Sequence, residues 1–166
     1  LYIDHTNPHL RGPKNLPFRK AIAMSINKME VIRSDLNNDA ESLSGPYSRS
    51  HSFNNTEVDK RDYKYDRDAA RELLKEIDYN FDAQSRNILW EGEPVTLILI
   101  YRMDITLMEV AALEYFSKVE LKKLGINVIF QPIHRASWNN VLLNPKSWDL
   151  AYYTVTTASS QTSLRN

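Results

Sequence analysis

Histidines are the first residues of this 166-residue chain that could take part in chemistry. His5 and His9 are four residues apart, which is the spacing of two zinc ligands on one helical face, and Asp4 stands beside them. Pro8 and the polar residues around the pair do not favour a helix, so we expect no metal site here. His51 lies in a segment without pattern and indicates no role.

Motifs of known catalytic sites are missing from the sequence. It contains no Gly-x-Ser-x-Gly, no His-Glu-x-x-His and no glycine-rich phosphate loop. It has no cysteine, which excludes thiolate nucleophiles and thiolate metal ligands. The acidic pairs Asp66/Asp68 and Glu72/Glu76 are better explained by helix capping and a solvated helix face than by acid–base catalysis. We therefore expect no enzymatic activity, no cofactor and no metal.

Composition indicates a single globular domain of balanced charge. Lys and Arg number 21, as do Asp and Glu, and a neutral chain argues against general nucleic-acid binding. The longest dense apolar run, 95–101, is too short to span a bilayer. The sequence begins without methionine or a basic leader, so we interpret it as a piece of a longer protein.

The second half alternates between strand and helix patterns. Residues 95–101 are apolar on both faces, as in a buried parallel strand. Thr106 and Glu109 form a capping-box pattern for a helix that runs to Leu124, with Gly125 as its C-cap.

Three shorter elements follow that helix. We expect a strand at 126–131 stopped by Pro132, a short helix at 136–143 and a third strand at 148–155. Strand–helix alternation predicts an α/β fold, in which helices flank a parallel or mixed sheet.

The first half is less regular. A short strand at 1–4 and a loop precede a helix that Pro17 begins and that ends near 37–38. Its apolar stripe recurs at steps of three and four: Phe18, Ile22, Ile26, Met29 and Ile32. A long irregular segment covers 39–65, Asp66 caps the next helix, and 78–93 is a polar stretch without predicted structure. The buried face of that helix is expected to contain Ala69, Ala70, Leu73, Leu74 and Ile77.

Ligands of open α/β sheets meet the carboxyl ends of parallel strands, and this rule selects the candidate binding residues. They are Tyr101, Arg102, His134, Tyr153, Thr154, Thr156 and Thr157. Arg102 suits a carboxylate or phosphate, and the threonines suit hydroxyl or peptide groups. Two alternatives stay open: Arg102 could only cap a surface loop, and His134 could be an exposed loop residue.

Five short motifs follow one another along nearly the whole chain: 17–28 (Arg-Lys-Ala-Ile), 66–79 (Leu-Leu, then Tyr), 92–97 (Gly-x-Pro-x-Thr-Leu), 121–128 (Leu-Lys-Lys-x-Gly-Ile-x-Val) and 148–151. Together they resemble the family 5 bacterial extracellular solute-binding proteins of the oligopeptide, dipeptide and nickel type.

The resemblance implies a periplasmic-binding-protein-like lobe. Residues 1–166 would form one lobe, the second, of a two-lobed protein that binds a small solute, a peptide or similar ligand, without catalysis. Its partners would be the ligand, the first lobe of the same chain and an ABC permease. The location would be extracytoplasmic, either periplasmic or lipid-anchored at the cell surface.

Two departures qualify the resemblance. Asp78 stands where the family usually has glycine, and 154–162 lacks the tryptophan, acid and proline that commonly follow the last strand. This argues against recognition of a peptide amine there. The 12–14 loop and the missing tryptophan also resemble the ligand-sensing C-terminal module of SgrR-like transcriptional regulators. That alternative implies a cytoplasmic protein with a separate N-terminal DNA-binding domain and no direct nucleic-acid contact by this lobe.

Overall fold

A computed structural model describes residues 2–12, 14–34, 38, 40–44, 56–59, 62–144 and 146–154. The strands are β1 (Tyr2–Ile3), β2 (Asn80–Asp82), β3 (Asn87–Trp90), β4 (Glu93–Pro94), β5 (Thr96–Arg102), β6 (Asn127–Ile133) and β7 (Leu150–Ala151). The α-helices are α1 (Leu16–Met24), α2 (Lys28–Ser34), α3 (Thr56–Asp59), α4 (Arg67–Lys75), α5 (Leu107–Glu114), α6 (Lys122–Leu124) and α7 (Trp138–Leu142). A π-helical segment, Tyr115–Leu121, joins α5 to α6, and a 3-10 turn, Arg135–Ser137, precedes α7.

The main sheet has the strand order β1-β7-β5-β6. β5 pairs in parallel with β6 over its whole length and with β7 at Leu99 and Ile100, whereas β1 is antiparallel to β7. The predicted α/β class is therefore confirmed. All three parallel strands end at the same side of the sheet, which we call the carboxyl edge.

Both faces of β5 are covered. Leu97 and Leu99 pack into the larger core with Phe18 and Leu74, while Ile100 packs on the other face against a smaller cluster that includes Trp138. Because successive strand residues point to opposite faces, this explains the uninterrupted apolar run in the sequence. No helix in the described part of the chain is long and apolar enough to cross a membrane.

A second sheet spans residues 80–94, mostly within the stretch 78–93 for which the sequence predicts no structure. β2, β3 and β4 are antiparallel neighbours in that order. Glu91 and Gly92 both have positive φ angles, 53° and 86°, as a two-residue hairpin turn requires. Ile88 of β3 is the buried residue that attaches this sheet to the main core.

The long first helix predicted up to 37–38 is wrong, because it breaks between Ser25 and Asn27. The Ser25 hydroxyl donates to the carbonyl of Ile22 (2.7 Å), and the Asn27 side chain accepts from the backbone N–H of Glu30 (3.1 Å). Asn27 therefore caps a new helix, α2. Met29 lies beyond the break and is 66% exposed, so the apolar stripe does not continue through it.

Asp66 caps α4 as predicted, since its side chain accepts from the backbone N–H of Ala69 (2.9 Å). Ala70 and Leu74 are fully buried, and Leu73 and Ile77 pack partly buried beside them. Within the segment 39–65, predicted as irregular, α3 forms one helical turn.

The C-terminus of α4 places Asp78 in the left-handed region, with φ 66°. The Asp78 N–H donates to the carbonyl of Lys75 (3.2 Å) and the Tyr79 N–H donates to that of Leu74 (3.1 Å). This is the hydrogen-bond pattern of a Schellman motif, in which glycine is the preferred residue. Asp78, which stands where the family usually has glycine, therefore has a strained backbone conformation.

The helix predicted from Thr106 to Leu124 is continuous, with both hydrogen bonds of the capping box present and a π-helical middle. Gly125 ends it with φ 95°. A Cβ atom at Gly125 would lie 2.7 Å from the backbone nitrogen of Ile88, so glycine is also required for the close approach to β3.

Pro132 does not stop β6, which continues to Ile133. Among the described strands β6 lies at the edge of the sheet, where a residue without N–H is tolerated. The predicted strand 148–155 is shorter than expected, because only Leu150–Ala151 is a strand and Val155 lies outside the described residues. The predicted helix 136–143 is present as the 3-10 turn followed by α7.

Candidate functional site

A shallow cleft of about 200 Å³ lies at the carboxyl edge of the main sheet. We call it the edge cleft; its lining residues are Arg102, Asp104, Ile105, Glu109, Tyr152, Tyr153 and Thr154. They come from the end of β5, the first turn of α5 and the segment after β7. The parallel pairing of β5 with β7 brings these three regions together.

The Glu109 carboxylate is at the centre of the hydrogen bonds in this cleft. Its Oε1 accepts from the hydroxyls of Thr154 (2.6 Å) and Tyr152 (3.1 Å), and its Oε2 accepts from the backbone N–H and hydroxyl of Thr106 (both 2.8 Å). Burial alone would raise the pKa of Glu109, but hydrogen bonds from Thr154, Thr106 and Tyr152 lower it. Glu109 is therefore a charged acceptor that fixes the hydroxyls, not a proton donor.

Arg102 makes a bidentate ion pair with Asp104 across the turn after β5. Its Nε donates to Asp104 Oδ1 at 2.8 Å, and its Nη2 pairs with Oδ2. The hydrogen bond from Arg102 lowers the pKa of the Asp104 carboxyl. The arginine thus holds the turn after β5, as the loop-capping alternative describes, and it also lines the edge cleft.

Tyr153 and Tyr101 are held by aromatic contacts. Tyr153 stacks on Trp138 with ring centroids 6.2 Å apart and an interplanar angle of 8°. Tyr101 packs on Phe130 at 4.5 Å and does not line the cleft, although it is adjacent to Arg102. Tyr153 therefore contributes an aromatic ring to the lining of the edge cleft, whereas Tyr101 packs against the neighbouring strand β6.

Of the seven predicted site residues, the structure brings three together in the edge cleft: Arg102, Tyr153 and Thr154. His134 is exposed beyond the cleft lining, and its Nδ1 accepts from the backbone N–H of Ala136 (3.2 Å), which caps the 3-10 turn. Thr156 and Thr157 lie outside the described residues.

Four lining residues, Asp104, Ile105, Glu109 and Tyr152, are not among the predicted site residues. Glu109 was recognised only as a capping-box residue, and nothing in the spacing reveals that its second oxygen reaches the segment after β7. Asp104 stands two residues after Arg102, a short-range charge pattern that could have indicated the ion pair.

Of the histidine pair near the N-terminus, His5 is exposed and His9 is partly buried. His9 is packed among Phe18, Tyr79 and Trp90, and its Nδ1 lies 2.6 Å from the Tyr79 hydroxyl. Burial lowers the pKa of His9, while the charge of Asp149 opposes this shift. No group of three potential metal ligands occurs among the described residues.

Comparison with known proteins gives one family match. The profile of the bacterial extracellular solute-binding proteins, family 5 middle region, covers residues 5–163. A search of curated proteins finds no match.

Solved structures share the fold. The oligopeptide-binding protein AppA of Bacillus subtilis, in complex with a nonapeptide, is 18% identical with a TM-score of 0.70. The alignment covers 81% of this chain and 27% of AppA. NikA of Brucella suis, in complex with Fe(III)-EDTA, is 18% identical with a TM-score of 0.71, covering 93% and 30% of the two chains.

A periplasmic oligopeptide-binding protein of Thermotoga maritima, solved with mannohexaose, is 22% identical with a TM-score of 0.71. The alignment covers 90% of this chain and 28% of the Thermotoga protein. The chain spans less than a third of the length of each of these proteins.

Proposed function

Because this chain belongs to the bacterial extracellular solute-binding proteins of family 5, we propose that it is one lobe of a two-lobed protein that captures a small polar solute at the edge cleft. Binding would take place by closure of the lobes, each of which supplies part of the contact surface. No reaction is part of this function. The protein would act outside the cytoplasm and deliver its solute to an ABC permease.

The observation that carries the proposal is the geometry of the edge cleft. Its volume of about 200 Å³ is below the range of about 300–1,000 Å³ that is usual for complete small-molecule sites. It lies at the carboxyl ends of parallel strands, which is where open α/β sheets bind ligands. A half-site at this position needs a second surface to enclose a ligand.

The chemistry of the lining favours a ligand with hydrogen-bonding groups. Hydroxyls of Tyr152 and Thr154 are oriented by Glu109, and the ring of Tyr153 is oriented by Trp138. Arg102 would contact a carboxylate or phosphate if the ligand replaced Asp104 as its partner. A peptide or a similar compound supplies such groups. Thr156 and Thr157 remain predicted contacts.

Calorimetry on the full-length parent protein and on this chain would test the proposal, with peptides, nickel chelates and oligosaccharides as ligands. We expect submicromolar to micromolar binding by the parent and binding at least a hundredfold weaker by the chain alone. Equal tight binding by both proteins would refute the two-lobe mechanism. Steady turnover of any of these compounds would show an enzyme instead.

Variants of the parent locate the site. Arg102→Gln should weaken an anionic ligand at least tenfold, whereas Arg11→Gln, which removes an exposed charge outside the edge cleft, should change the affinity less than twofold. Unchanged affinity of the Arg102→Gln protein would remove Arg102 from the site. A DNA-binding domain encoded upstream of residue 1 would replace the transport role by ligand sensing in a regulator.

A further inference from the structure

A second, strongly basic groove lies near the opposite end of the main sheet from the edge cleft. It has a volume of about 450 Å³ and lies between α4, the small antiparallel sheet and the end of the long helix. Six cationic side chains line this basic groove: Arg67, Arg71, Arg86, Lys118, Lys122 and Lys123. Lys122 bonds to Asn127, the first residue of β6. β6 extends for about 20 Å from there to the carboxyl edge, so the two sites are separate.

Two of the six cations are neutralised by neighbouring acids. Lys118 pairs with Glu114 at 2.7 Å, one helical turn earlier, and Lys123 pairs with the buried Glu120 at 3.1 Å. These acids lie on the same helix as their partners. The other four cations of the groove are Arg67, Arg71, Arg86 and Lys122.

Lys122 and Arg71 are held in place by neutral groups, so their charges are not cancelled. The Lys122 ammonium donates to the side-chain oxygens of Asn87 (2.9 Å) and Asn127 (2.7 Å). The Arg71 Nη2 donates to the backbone carbonyl of Lys123 (2.6 Å), and its guanidinium lies 5.0 Å from the ring centroid of Phe81. Both cations are positioned before any ligand binds.

Arg67 and Arg86 complete the groove, and within the part of the chain that the structure describes neither has an ion pair. Acids close to them in sequence make other contacts. Asp66 caps α4, Glu72 pairs with Lys75 at 2.6 Å, and the Asp82 carboxylate accepts from the backbone N–H groups of Gln84 and Ser85. The chain as a whole has no net charge. The four cations without an acidic partner therefore concentrate positive charge in one groove.

We propose that the basic groove binds a small molecule or headgroup that carries two phosphate groups. Each phosphate monoester has a charge of about −1.5 to −2 at neutral pH, so two of them match four cations, whereas one carboxylate would neutralise only one. Guanidinium groups bind phosphate oxygens through paired hydrogen bonds. The volume fits one drug-sized molecule, and the exposed ring of Phe81 provides an apolar surface beside the charges.

Titration calorimetry of the chain with inorganic pyrophosphate tests this assignment, with citrate as a non-phosphate anion of similar charge. We expect saturable binding of pyrophosphate that weakens as salt is raised, and binding of citrate at least tenfold weaker. The double variant Arg67→Gln/Arg86→Gln should weaken pyrophosphate at least tenfold. The matched control Arg11→Gln/Lys14→Gln removes two charges from a different cavity and should change the affinity less than twofold.

Vesicle sedimentation separates the two sources of the phosphate. Binding to vesicles that contain a polyprenyl diphosphate, whose headgroup carries two phosphates, would support a lipid headgroup if it is absent with pure phosphatidylcholine and competed by pyrophosphate. Pyrophosphate binding without vesicle binding would support a soluble ligand. Circular dichroism confirms that each variant is folded. Absence of saturable pyrophosphate binding, equal affinity for citrate, or equal losses in the two double variants would overturn the proposal.

Discussion

The Glu109 carboxylate accepts a hydrogen bond from the Thr154 hydroxyl at 2.6 Å, although the two residues are 45 positions apart. The same carboxylate closes the capping box at the start of α5. One side chain therefore fixes a helix N-terminus and the segment after β7 together. The stability of the lobe and the shape of the edge cleft consequently depend on the same residue.

Glu109→Ala should lower the free energy of unfolding by about 1–3 kcal/mol, because it removes the capping-box partner and leaves two hydroxyls without their acceptor. Thr106→Ala is the matched control, since it removes the N-cap side chain and leaves the contacts of Tyr152 and Thr154. Urea denaturation of both variants should show the larger loss for Glu109→Ala. A loss no greater than that of Thr106→Ala would show that the contacts after β7 contribute nothing to stability.

Acid sensitivity should come partly from Asp4, a buried residue near the N-terminus. Its carboxylate accepts from the backbone N–H groups of Thr6 (2.8 Å) and Lys146 (3.1 Å) and from the Thr6 hydroxyl (2.6 Å). Burial raises the pKa of Asp4, but these hydrogen bonds outweigh burial and lower it. The stabilisation is therefore complete above the ordinary pKa of an aspartate, about 3.9, and is lost as the pH falls through the lowered folded-state pKa.

Urea denaturation between pH 7 and pH 2.5 measures this effect. The wild-type chain should lose stability more steeply below pH 4 than the Asp4→Asn variant, whose amide does not titrate in this range. Asp68→Asn serves as the control, because Asp68 is an exposed residue in the first turn of α4. Parallel pH profiles of the wild type and Asp4→Asn would contradict the role assigned to Asp4.

Much of the fold follows from local sequence signals. The uninterrupted apolar run of β5, the capping box at Thr106 and the glycine at 125 predict their elements correctly, because each signal depends on backbone geometry near the residue itself. The small sheet was missed because its strands are short and mostly exposed. Pro132 was misjudged because a proline is tolerated at a sheet edge, and which strand lies at the edge depends on tertiary topology.

The candidate site could be predicted only at the level of strand ends. The open-sheet rule selects the carboxyl edge, where Arg102, Tyr153 and Thr154 line the edge cleft. It does not distinguish residues that line the edge cleft from residues that cap a turn, such as His134. Glu109 was missed because its contact with Thr154 joins distant segments.

Asp78→Gly should stabilise the chain by about 0.5–1 kcal/mol, because glycine adopts the left-handed conformation without the steric cost borne by aspartate. Asp78 has φ 66° at the C-terminus of α4 and makes no side-chain hydrogen bond among those the structure describes. Chemical denaturation of the two proteins measures the difference. Glu72→Gly in the middle of α4 is the control and should destabilise by about 1 kcal/mol. A loss of stability in Asp78→Gly would mean that the aspartate carboxylate has a stabilising contact.

Gly125→Ala should destabilise the lobe by about 2–4 kcal/mol, because two costs combine there. Its φ of 95° strains any residue with a side chain, and the added Cβ would meet the backbone nitrogen of Ile88 at 2.7 Å, where the Ile88 N–H donates to the Gly125 carbonyl. Gly92→Ala is a control for the first cost alone, since Gly92 has φ 86° and a Cβ added there would meet no heavy atom within 4 Å. The Gly92→Ala variant should lose only about 1 kcal/mol of unfolding free energy. Urea denaturation with hydrogen exchange at Ile88 measures both effects, and equal losses at the two glycines would show that the small sheet moves away from the helix end without cost.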